Sequence, residues 1–163
     1  MPRHLTWSLW ASLALAILVA VMPAAQAQDF SAADKATMKA YVLDTAKVTR
    51  YIAGLNALAM AKNSDDAIAD EYEKMDAEPG ESLAELKAKL SRHPRLFAFF
   101  QRQNLTPDDV ILIPFVLINA GVAVAVPGQL ADVVTSAQLN FVRGNAALMQ
   151  RLTEANDALE NPN

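Results

Sequence analysis

No cysteine occurs anywhere in the 163 residues. Disulfides are therefore excluded as staples, and so is a thiolate zinc site. The same absence leaves no thiol for an amino-terminal lipid anchor. Tryptophan and histidine are nearly as scarce: Trp7, Trp10 and His4, one of two histidines, all fall within the first 27 residues. The remainder holds a single imidazole, His93, and has little chemistry to offer near neutral pH. An excess of basic charge is also missing. The chain carries a net −4, and Arg3 is the only formal charge before residue 28, so residues 28–163 bear 13 basic and 18 acidic groups, a net of −5. This balance argues against nucleic acid as a partner, because binding to a phosphate backbone rests on clustered cations. The charges are interspersed, as in Asp34-Lys35 and across 85–89, which suits the solvated faces of helices.

What is present begins with an address. Arg3 and His4 make a short basic start, residues 9–22 are apolar apart from Ser12, and Pro23 leads into Ala25-Gln26-Ala27, a small-x-small cleavage site. The pattern predicts a cleaved signal peptide over 1–27, a mature chain beginning at Gln28, and export to the bacterial periplasm or beyond. The competing reading is an uncleaved anchor over 5–25, which barely reaches the length needed to span a bilayer. Cleavage leaves 136 residues, enough for one domain that buries roughly two-thirds of its unfolded surface without staples.

Apolar residues after Phe30 recur at helical spacing, and no alternating run argues for a strand. The expected fold is all-α, a single compact bundle of about five to six helices over 28–163. A first helix starts at Ser31 with Asp34 and runs to about Lys62; a second follows the turn at Asn63-Ser64-Asp65-Asp66 and ends before Pro79-Gly80. Ser82 with Glu85 is a capping box for a third, and Pro94 opens a short fourth that ends near Asn104. Thr106-Pro107-Asp108-Asp109 is the clearest helix start: a capping hydroxyl, proline at the first helical position and two carboxylates at the positive end of the dipole. The helix it opens, 107–126, is apolar on every side, and from Val110 to Val126 it is interrupted only by Pro114, Asn119 and Gly121. It belongs at the centre of the bundle, since a helix without a polar face must be surrounded by other helices or by lipid. Thr135 with Gln138 caps a last helix reaching about Leu159.

Candidate binding residues come from this apolar material. Phe97, Phe100, Phe115 and Phe141, together with Phe99, Met60, Met75 and Met149, are available to line an apolar pocket or simply to fill the core. Asn119 must find a hydrogen-bond partner in the bundle or in a ligand, because an unsatisfied buried amide costs about 1–3 kcal/mol. The carbonyl of Val110 is likewise in need, since Pro114 has no N–H to give it. His93 sits in the basic stretch Ser91-Arg92-His93-Pro94-Arg95, and a catalytic role would require a carboxylate such as Asp108 or Glu85 beside it. The acidic residues Asp65, Asp66, Asp70, Glu71 and Glu73 do not follow the spacing of a calcium loop, and no metal or cofactor is implied.

The segments Leu105-Thr106-Pro107 and Val134-Thr135-Ser136-Ala137 through Phe141-Val142-Arg143 resemble helix starts in small exported all-helical bacterial proteins of uncharacterised function. That resemblance implies the fold and the export but no site. Periplasmic helical chaperones with a Leu-Thr-x-x-Gln signature do not fit, because Asp109 stands at the glutamine position. The resulting expectation is a non-catalytic, soluble helical protein of the bacterial cell envelope that binds a partner protein or an apolar small molecule. Its rivals are membrane association through 107–126 and an enzyme built on His93. Amino-terminal sequencing of the protein recovered from the cell envelope should begin at Gln28; a chain there that still starts at residue 1 or 2 would rule out the cleavage.

Overall fold

A computed structural model of the chain describes residues 30–75, 80–128 and 130–160. The expected signal peptide at 1–27 and Pro79 of the expected Pro79-Gly80 turn lie outside the described residues. The fold is all-α: eight helices and no strand occur among the described residues. They are α1 (Ala32–Ala40), α2 (Thr45–Lys62), α3 (Asp66–Glu73), α4 (Leu83–Ser91), α5 (Pro94–Gln101), α6 (Pro107–Ala125), α7 (Ser136–Gly144) and α8 (Ala146–Glu160).

The count exceeds the expected five to six because the first and last expected helices are each broken in two. Between α1 and α2 the chain turns extended at Tyr41 (φ −74°, ψ 126°), and Asp44 becomes a new N-cap whose carboxylate accepts from the Lys47 N–H at 2.8 Å. The interruption would strand carbonyls at the end of α1. Gln138, on α7, relieves this: its side-chain amide donates to the carbonyls of Met38 at 2.8 Å and Tyr41 at 2.9 Å. Between α7 and α8 the break is Asn145, whose side-chain amide donates to the Phe141 carbonyl at 2.8 Å. The other boundaries follow the capping residues. Ser31, Ser82, Thr106 and Thr135 each accept from the backbone N–H three residues on, and the last three complete reciprocal capping boxes. Beyond α5, Asn104 adopts φ 56°, a left-handed conformation that asparagine tolerates better than most residues.

Helix α6 is the central element. Residues 109–120 are buried except for the half-buried Pro114, and Ile113 is 0% exposed. Burying one such side chain is worth about 1.5–3 kcal/mol. Helices α7, α4, α2 and α1 pack against α6, while α8 lies along α2. By length and composition α6 could cross a membrane, yet 67% of its apolar window is enclosed by the rest of the protein.

A buried polar knot fixes the start of α6. The Asp109 carboxylate is 5% exposed and accepts from the Thr106 N–H at 3.0 Å, the Thr106 hydroxyl at 2.8 Å and the Tyr41 hydroxyl at 2.6 Å. Lys47 Nζ lies 3.1 Å away and also sits over the Tyr41 ring. Burial alone would raise the carboxyl pKa, but the bonds from Tyr41, Thr106 and Lys47 outweigh it and hold the group at about 2. The Tyr41 hydroxyl is pushed up by burial and by its bond to Asp109. One knot thus ties α6 to the junction of α1 and α2.

Asp109 therefore stabilises the fold in a pH-dependent way. The unfolded chain takes up the proton first, so the contribution is complete above the ordinary carboxylate value of 3.8 and is lost as pH falls toward 2. The size is on the order of 2 kcal/mol. Chemical denaturation of the wild type and Asp109→Asn should differ by about this much at pH 7, and the gap should close near pH 2. A gap that is flat across that window would show that another group carries the acid sensitivity.

Candidate functional site

The expected pocket-forming aromatics can now be located. Phe100 and Phe115 line a cavity of about 90 Å³ at the heart of the bundle. Its walls are built from α2 (Tyr51, Leu55, Leu58), α4 (Leu86, Leu90), α5 (Leu96, Phe100) and α6 (Val110, Ile111, Pro114, Phe115). Asn156 and Leu159 on α8 complete it with Tyr72 and Met75. No charged side chain lines the space.

Local sequence explains the shape. Helix α5 opens with Pro94 at its first turn, and its apolar residues place Leu96 and Phe100, both buried, on the cavity side. The Phe100 ring stacks on Tyr51 with centroids 5.5 Å apart and planes 21° from parallel. This approach depends on Gly54, one turn along α2 from Tyr51: a Cβ built there would stand 2.6 Å from Phe100 Cδ1, closer than van der Waals contact allows. On α6, Val110 and Pro114 are one turn apart and both face the cavity. Pro114 deprives the Val110 carbonyl of its helical donor on the side of α6 that lines the space.

The remaining candidates lie elsewhere. Phe97 and Phe141 pack, half-buried, against the core without lining the cavity. Asn119 is buried, and its amide donates to the Phe115 carbonyl at 2.7 Å, one turn back on its own helix, with Met38 Sδ 3.8 Å away. Met75 is in the cavity wall, Met149 is in the core, and Met60 is 76% exposed. His93 is the N-cap residue of α5 and makes no side-chain cap bond. The two carboxylates considered for it are engaged elsewhere, Asp108 with Lys87 and Glu85 in the capping box with Ser82. Among the described residues no cluster of His, Cys, Asp or Glu has the makings of a metal site.

Two polar wall residues, Tyr51 and Asn156, were not singled out from sequence. Asn156 had a readable signal, because Met149, Leu152, Asn156 and Leu159 continue at three- and four-residue steps and Asn156 lies on that stripe. Tyr51 stands directly before Ile52 of the α2 stripe and gave no comparable sign. A second, larger hollow of about 560 Å³ lies on the outer side of α5, with Ile68, Ala98 and Phe99 below and Arg95 and Arg102 beside them. It is a broad surface depression, whereas the central cavity is walled by residues of six helices. The chain matches no protein-family model, no curated protein and no solved structure.

The Gly54–Phe100 contact is open to a direct check. Gly54→Ala should cost about 1–3 kcal/mol by overpacking. In Gly54→Ala combined with Phe100→Leu, the cost should be less than the sum of the single changes, because the clash has gone. Additive denaturation energies would show that the ring does not rest on Gly54.

Proposed function

We propose that this chain is a non-catalytic, exported helical protein of the bacterial cell envelope that binds an apolar small molecule within its bundle. The observation that carries the reading is the central cavity: an uncharged, almost wholly apolar space bounded by aromatic and aliphatic walls. A well-packed core seldom leaves a gap of this size, and apolar cavities stay dry and take up apolar molecules. At about 90 Å³ the space is smaller than the roughly 150 Å³ engineered cavity that admits benzene or xenon. Its occupant is accordingly a single small ring, a short alkyl group, or one such arm of a larger molecule.

Export rests on the amino-terminal pattern, with residues 1–27 as a cleaved signal peptide and 28–163 as one helical domain. A cysteine-free helical core suits an oxidising compartment, since it exposes no thiol to unwanted pairing.

Thermal melts of the purified protein with and without benzene decide the binding reading. At about ten times the dissociation constant, benzene should add about 1.4 kcal/mol and raise the Tm by a few degrees. Leu90→Phe, which fills the wall, should melt at or above the wild-type temperature and lose the benzene response. A wild-type Tm that benzene does not move would overturn the proposal.

A further inference from the structure

An apolar cavity needs no polar wall, yet this one has two polar side chains that are each more than nine-tenths buried. Asn156 is 8% exposed and Tyr51 is 6% exposed, and both line the space. Among the described residues neither the Asn156 amide nor the Tyr51 hydroxyl has a protein hydrogen-bond partner, and neither is among the fully enclosed unpaired atoms, so both keep access to a small molecule in the space they line. Polar groups inside a protein are nearly always paired with protein or water, so two groups on one small cavity with no protein partner take theirs from a molecule in that space. Asn119 provides the contrast within the same protein: equally buried, it is satisfied by the Phe115 carbonyl and is not part of the cavity wall.

We infer that the cavity selects a neutral molecule with a compact apolar body and one hydroxyl or carbonyl oxygen, which hydrogen-bonds Asn156 and Tyr51. This rests on the cavity being a binding site at all, as proposed above. Neutrality follows from the wall, which holds no ion to pair with a charged head. Burial raises the Tyr51 pKa, so the phenol keeps its proton and acts as a donor. Asn156 brings both a donor and an acceptor, so the pair can serve a ligand hydroxyl in both of its roles. The ligand's ring or chain then lies against Phe100, Phe115 and the leucines around them.

Phenol and benzene differ by one hydroxyl and make the appropriate pair of probes, with affinities measured by calorimetry on the purified protein. Phenol should bind about fivefold more tightly than benzene to the wild type, the equivalent of one net hydrogen bond. Asn156→Leu should bring the ratio to about one while benzene still binds, and its unliganded melting temperature should hold or rise, because an unpaired amide has been replaced by an apolar group. Tyr51→Phe should narrow the ratio without altering the shape of the cavity, and it serves alone if the leucine variant does not fold. Equal affinities for the two probes in the wild type would overturn the polar-head inference and leave cavity binding intact, with water then satisfying the two groups. A fivefold ratio that survives both substitutions would overturn it as well. If neither probe binds, the cavity reading falls together with the inference.

Discussion

Helix α6 has no face that water would accept, and the rest of the chain is arranged to answer that. Four other helices pack directly against it, and its run from 109 to 120 is buried apart from the half-buried Pro114. The constraint has a positional counterpart. A helix that is apolar all round has no stripe to set its rotation or its depth, so something polar must do so. The knot of Asp109, Thr106, Tyr41 and Lys47 performs that task, since its bonds form in only one register. A buried carboxylate with several donors is demanding, and that demand is what makes the arrangement unique.

The capping chemistry was legible from sequence, and for a physical reason. Ser82 with Glu85, Thr106 with Pro107 and Thr135 with Gln138 act over three residues, so local pattern contains the whole interaction. The two breaks at 41–44 and at Asn145 were not legible. The apolar period runs through both, and the first is held open by contacts from Asp109 and Gln138, which are 68 and 97 residues distant from Tyr41 in sequence. No local window can hold that information. A continuous helix from 31 to 62 was therefore the natural expectation, and tertiary bonding overrode it.

The cavity was partly legible. Aromatic residues flagged the right material, and Phe100 and Phe115 are in the wall, but the sequence does not say which of several phenylalanines a gap will touch. Asn119 drew notice because its neighbours are uniformly apolar, and its position within a turn of the Phe115 carbonyl lets it be satisfied on its own helix. Asn156 lies on the apolar stripe of its helix, which is a readable sign of burial, but only the packing shows that it borders the cavity.

The bond from Gln138 to the Met38 carbonyl joins residues 100 positions apart. A chain that emerges amino-terminus first, from a ribosome or through a membrane pore, has made α1 long before Gln138 is available to secure it. Loop closure over that distance carries an entropic cost that local helix formation does not. The joint at 38–41 is thus completed only when five-sixths of the sequence is at hand, although the bonds of Asp34 with Leu83 and of Tyr41 with Asp109 can place the first helix sooner. By the order of its contacts, the first joint of the fold receives its last bond from a residue made late.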